Sequence, residues 1–217
     1  MAEEDFTVTP AEWDAKRIYY LHASVVTPRP IAWVATLSAD GKDNLAPHSY
    51  FNAIADDPPY LMFSIEGESD TYRNLLEVPE FTVSIVTEEM AETMELSATP
   101  MPRGESEFDW ARIERRASTD IRPPRVLASP AAMECRVDRI INVGRRNHVV
   151  FGEVVRYHIM GRVWRNGRVS PEKLRPLCRL GGRYATLTTT FKMPRPSWED
   201  IRGHGGDPSD LVSRLFD

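Results

Sequence analysis

The chain of 217 residues has only two cysteines, Cys135 and Cys178, far apart and outside any CxxC pair. Nothing there builds a disulfide framework or a zinc knuckle, and both thiols read as buried bulk in a reduced, cytoplasmic setting. No apolar run approaches the roughly 20 residues of a membrane-spanning helix. The opening residues, MAEEDFTVTP, are acidic where a secretory leader is basic, and they lack an apolar core. Positive charge is not in excess either: the formal net charge of −5 argues against a general nucleic-acid binder. The phosphate loops GxGxxG and GxxxxGK are missing, and so is the GxSxG elbow of serine hydrolases. The five histidines include no pair at helical i, i+4 spacing. His148 and His158, ten apart on one extended segment, are separated by about 33 Å at the rise of a strand, so no metal site is expected.

What remains is the composition of an ordinary globular protein, 41% hydrophobic and 27% charged, long enough to bury its own core. Strand signals dominate. Residues 31–38 alternate and are β-rich, and Asp40-Gly41 marks a hairpin turn into a return strand from Asn44. Asp56-Asp57-Pro58-Pro59 breaks that strand, and residues 59–66 form the next. Further strands are expected at 81–87, 132–144, 148–160 and 184–191, with a hairpin turn at Asn166-Gly167. Helices are expected at 11–21, after Pro10, at 69–77, where Ser69 or Asp70 caps, and at 88–98. Residues 99–110 read as an irregular loop and 111–131 as a connection. Short spacing, few helices and hairpin turns predict a mainly β, antiparallel barrel with a few peripheral helices.

The helix start at Ser69-Asp70-Thr71-Tyr72-Arg73-Asn74 offers free N–H groups and a positive dipole end. Thr71 and Asn74, three apart, share a face. They either hold a phosphate or serve as capping and surface residues.

The run TPRPIAWVATLSADGKDNLAPHSYFNAIADDPPYLMFSI, followed by SDTYRNLL and EFTVSIV, resembles the flavin reductase-like family of FMN-binding split β-barrels, flavoredoxin-type members included. Later blocks, GESEF (104–108), PPRVLASPAAMEC (123–135), HVVFGEVV (148–155) and PLCRLGGRYATL (176–187), follow in the family's order. The likeness covers about residues 18–190 and implies a split-barrel domain over 18–192, with 1–17 as an extension and 193–217 as a polar tail. It implies an FMN-dependent oxidoreductase that passes hydride from NAD(P)H to flavin. The alternative is an FMN-binding carrier or sensor without pyridine-nucleotide activity; a cofactor-free interaction module is a third reading. It also implies that Ala46, Pro47, His48 and Ser49 approach the flavin, with Phe51 and Asn52 beside it. Arg29, Pro30 and Ile31 come from the neighbouring strand. Asp70, Thr71 and Asn74 sit at the phosphate, and His148 near the nicotinamide. Many relatives carry lysine where this chain has Ser69, so Arg73, Arg29 or Arg183 is expected to supply the missing cation. The resemblance further implies a homodimer and a partner oxygenase or another electron acceptor.

Overall fold

The computed structural model describes residues 5–193 and 195–204. The chain divides into two compact units, residues 1–187 and 188–217. The first contains α1 (Ala15–Val25), β1 (Arg29–Pro30), β2 (Ala32–Leu37), β3 (Asp43–His48), β4 (Phe51–Asp56), β5 (Pro59–Glu66), α2 (Asp70–Glu77) and β6 (Glu80–Ile85). It continues with α3 (Ala91–Leu96), α4 (Glu107–Trp110), the short β7 (Arg115–Arg116) and β8 (Arg125–Val126), and the long hairpin of β9 (Ala131–Val143) and β10 (Asn147–Ile159). It closes with β11 (Trp164–Arg165), β12 (Arg168–Val169), α5 (Pro171–Leu174), β13 (Leu177–Leu180) and β14 (Arg183–Thr186). The second unit holds α6 (Trp198–His204). The polar tail expected from residue 193 is thus a helix at 198–204, and residues 205–217 lie outside the described residues.

A seven-stranded antiparallel sheet runs in the order β3-β2-β6-β9-β10-β5-β4. Its two end strands are consecutive in sequence, joined by Ser49 and Tyr50 alone. That link spans no more than about 10 Å, so the sheet must roll until its edges approach. No ladder joins β3 to β4. Instead the Ser64 N–H donates to the Tyr50 carbonyl at 2.9 Å, and the barrel stays split along this seam. Reading one strand from Asn44 to the Asp56 break misses this bend, because Ser49 and Tyr50 are not breakers by type.

Strand β2 is buried on both faces. Ala32 and Val34 join the barrel interior with Leu61, Phe63, Ile65, Leu75, Phe81, Val83 and Val150. Trp33 and Ala35 face an outer layer with Leu45, Met90, Met94, Phe108 and Leu177, so α3, α4 and β13 cover that side. The register changes between Phe151 and Gly152 in the β9–β10 ladder, and the Phe81 ring occupies the space above Gly152. Helix α1 begins later than Pro10 suggests, because the Asp14 side chain accepts from the Arg17 N–H at 2.9 Å and caps it there. A separate three-stranded sheet, β1-β13-β14, sets Arg29 opposite Arg179. Strand β14 ends at Thr186, short of the expected 191.

Candidate functional site

Strand β3 is an edge strand of the large sheet, and its composition follows from that. The Leu45 N–H points away from β2 and donates to the Glu107 carboxylate at 2.8 Å, so α4 covers part of the edge. Alternation turns Pro47 the same way, and proline is tolerated where no ladder N–H is needed. The Pro47 carbonyl is then an acceptor facing the edge. Asn44 and Thr36, opposite one another in the β2–β3 register, meet helix α2. Asn44 Nδ2 donates to Thr71 Oγ1 at 3.1 Å, and Asn74 Nδ2 donates to Thr36 Oγ1 at 3.1 Å. Thr71 and Asn74 are therefore buried, at 1% and 3% exposure, and they seat α2 on the hairpin. The Ser69 side chain accepts from the Tyr72 N–H at 3.4 Å and caps the helix.

Between this edge and the start of α2 lies a cleft of about 550 Å³. Asn44, Ala46, Pro47 and His48 form one wall, Ser69, Asp70, Thr71 and Arg73 another, and Ser97, Thr99, Met101 and Arg103 a third. Arg73 pairs with Glu68 at 3.5 Å, and Arg103 with Asp70 at 3.4 Å and Glu77 at 3.6 Å. These pairs are long and solvent-exposed, worth at most about 1 kcal/mol each, so both arginines are free to turn to an anion. His48 stacks its ring at a tilt on Phe63, 5.1 Å between centroids. Burial pushes its pKa down to about 4, so the imidazole is neutral at ordinary pH, and its buried Nε2 has no partner. Glu107 also borders the cleft, and burial raises its pKa above the usual carboxylate value.

An adjoining cavity of about 520 Å³ includes Asn74 in its wall. It is bordered by Asp40, Asp43, Asp70, Glu77 and Glu105 with Lys42 and Arg103. On the other side lies a recess of about 190 Å³, formed by Tyr19, Ile31, Pro47, Ser49, Met94, Glu95, Ala98, Arg179 and Tyr184. Pro47 and Ala98 belong to both the recess and the larger cleft.

The expected site residues thus fall into groups. Ala46, Pro47, His48, Asp70 and Thr71 line the cleft, while Ile31 and Ser49 line the recess. Arg29 is 4% exposed and spends its guanidinium on the Ala23 and Val26 carbonyls at the C-terminal end of α1 and on Ser49 Oγ at 3.4 Å. Pro30 and Asn52 are exposed, and Phe51 packs on the barrel interior. Arg183 is exposed on β14; the arginine of that block that reaches a cavity is Arg179. His148 stacks on Tyr72, with centroids 3.9 Å apart and planes 15° off parallel, and its Nδ1 lies 2.7 Å from Asn142 Oδ1. It is not part of the cleft wall. The sequence reading missed Ser97 and Ala98, at the end of the helix expected at 88–98, and Thr99, Met101 and Arg103, in the stretch read as a loop. The alternation of β13, placing Arg179 across from Arg29, was the available signal for the recess.

The sequence profile of the flavin reductase like domain matches residues 24–187, and the chain belongs to that family. It is similar to nitrilotriacetate monooxygenase component B from Bacillus cereus, with 32% identity, a TM-score of 0.85, and coverage of 88% of this chain and 100% of that one. It is also similar to the 2-nitrobenzoate 2-nitroreductase NbaA of Pseudomonas fluorescens, with 31% identity, a TM-score of 0.83, and coverage of 89% and 98%. A solved split barrel domain from Shewanella frigidimarina, 17% identical, shares the fold at a TM-score of 0.78 over 86% of this chain and 96% of that one. The rolled, unladdered sheet is thus the split barrel of flavin reductases. Among the described residues no helix is long and apolar enough to cross a membrane, and no cluster of side chains is arranged to hold a metal.

Proposed function

We propose that the chain is an FMN-dependent oxidoreductase that takes hydride from NADH or NADPH. The observation that carries this reading is the cleft itself, where Arg73 and Arg103, set among Glu66, Glu68, Asp70 and Glu107 beside the first turn of α2, face an uncharged, proline-bearing wall of Asn44, Ala46, Pro47 and His48. Its volume falls within the range of cofactor pockets. The residues fit a flavin mononucleotide. Arg73, Arg103 and the free N–H groups of the first turn of α2 suit a phosphate. The Thr71 hydroxyl accepts from Asn44 and keeps its own proton to donate. Asn74 works indirectly, by holding α2 against Thr36. Ala46 and Pro47 leave room for a flat ring system, and the outward Pro47 carbonyl accepts from a ring N–H. Neutral His48 adds no charge to that wall. Bound there, the flavin supplies two-electron chemistry between the nicotinamide and an acceptor, and the protein supplies orientation and shelter from water.

This explains the absence of an acid–base constellation, since hydride transfer needs none. His148 is assigned to the nicotinamide nucleotide at the barrel rim, with Arg145 and Arg146 steering its phosphates. The likeness to a monooxygenase component B supports a partner oxygenase as the destination of the electrons. A homodimer is part of the same reading, since Leu21 and Val25, four apart on α1, share a face and are exposed. The test is anaerobic stopped-flow reduction. Protein loaded with FMN should bleach on mixing with NADH or NADPH, faster than free FMN does. A bleaching rate equal to that of free FMN with both nucleotides would defeat the reading.

A further inference from the structure

The recess beside the cleft has a chemistry of its own. Arg179 lies over the Tyr184 ring, its guanidinium carbon 4.3 Å from the centroid. Among the described residues no ion pair engages it, whereas Arg175 pairs with Glu88 and Arg156 with Asp120. The one carboxylate of the recess, Glu95, accepts from the Tyr184 hydroxyl instead. Arg179 also stands directly across from Arg29 in the β1–β13 ladder. Like charges opposed in this way are unfavourable. Arg29 answers its charge with carbonyls at the negative end of α1. Arg179 is answered only by the ring and hydroxyl of Tyr184, with no carboxylate paired to it among the described residues, and an anion in the recess would supply the missing charge.

The remaining walls decide what kind of anion. Ile31 and Met94 are 4% and 1% exposed and present apolar surface, as Pro47 does. Ser49 adds a hydroxyl. A volume of about 190 Å³ is too small for a nucleotide and suits a molecule of one ring or a short chain. We propose that this recess binds a small organic carboxylate of about the size of benzoate, held by Arg179 and Ser49 at its carboxylate and by Ile31 and Met94 along its apolar body. Because Pro47 and Ala98 border both spaces, the ligand abuts whatever fills the cleft. Its standing as a substrate rests on the flavin reading; its binding does not.

The test is calorimetric titration of the full chain, with and without saturating FMN, using benzoate, the neutral isostere benzamide, and AMP. Benzoate should bind at least tenfold more tightly than benzamide whether or not FMN is present. Arg179→Gln should remove that preference while leaving the FMN titration unchanged, and Arg179→Lys should keep part of it. Equal affinity for benzoate and benzamide on the unsubstituted chain overturns the proposal, as does an unchanged preference in Arg179→Gln. Loss of benzoate binding on saturation with FMN places benzoate in the cleft and also overturns it. Binding of AMP with the same dependence on Arg179 assigns the arginine to a nucleotide phosphate, a third contrary result. Benzoate binding with the expected preference in a chain that fails to bind FMN would refute the flavin reading alone.

Discussion

Gly152 sits in the barrel wall where no side chain fits, and replacing it tests the path from packing to site. A Cβ at this position would lie 2.4 Å from Phe81 Cζ and 2.7 Å from Phe81 Cε1. The Phe81 ring cannot simply swing away. It is fully buried and meets Phe63 edge-on at 5.2 Å, and Phe63 in turn meets His48 at 5.1 Å. The added methyl must therefore displace a chain of three rings that ends at the cleft wall. Overpacking of this kind costs about 1–3 kcal/mol. For a domain of this size that is a fall in Tm of roughly 2–12 °C. Gly152→Ala should show it in urea denaturation followed by tryptophan fluorescence, together with weaker flavin binding as His48 shifts. Phe81→Leu in the same chain should restore part of the stability, because it removes the colliding ring atoms. A Gly152→Ala variant as stable as the parent, to within about 0.5 kcal/mol, would refute the close approach of the ring.

Three further outcomes follow from named groups. Glu134 is fully buried and accepts from the Thr119 and Asp120 N–H groups at 2.7 Å each and from His158 Nε2 at 2.5 Å. Burial alone would raise its pKa, but these three partners hold it below the ordinary 4.5, so its contribution is present above that pH and lost as pH falls through the folded value. Glu134→Gln should cost about 3 kcal/mol at neutral pH, with the gap from the parent closing below pH 4.5 in acid titrations of stability. Glu107 runs the other way: burial raises its pKa, so its contribution is present below 4.5 and fades as pH rises through the folded value. Glu107→Gln, which keeps an oxygen for the Leu45 N–H, should be more stable than the parent at neutral pH and no more stable near pH 4; a uniform loss would contradict this. His148→Ala should keep its flavin but slow reduction by NAD(P)H severalfold in stopped-flow traces, whereas a variant purified without flavin would make His148 part of the flavin's support.

Much of the fold was legible because strands declare themselves locally. Asp40-Gly41 and Asn166-Gly167 mark turns through residues that accept positive φ, and both turns are there. The beginning of α2 was legible from Ser69, whose side chain does cap it. What could not be read depends on distant partners. Arg29 looks like a ligand-binding cation until the C-terminus of α1 takes its guanidinium. Asn74 looks like a surface group aimed at a phosphate until Thr36 takes its amide, and nothing local in the sequence shows that Thr71, still in the cleft wall, accepts from Asn44. Glu134 and His158, 24 residues apart, give no local sign of their pairing, since only the antiparallel register of β9 and β10 brings them together. Residues 99–110 carry no period, yet they deliver Arg103 to the cleft and Glu107 to the edge of β3.

The central claim is that the cleft between β3 and α2 holds the flavin with its phosphate at Arg73 and Arg103. Fluorescence titration of FMN and riboflavin, on the parent chain and on an Arg73→Ala, Arg103→Ala variant, tests it most directly. A charge-assisted hydrogen bond is worth about 1.5–3 kcal/mol, so the parent should prefer FMN to riboflavin by at least about tenfold. The variant should lose that preference while binding riboflavin as before. A parent with no preference for FMN, or a variant that weakens both ligands equally, would place the phosphate elsewhere and contradict the account.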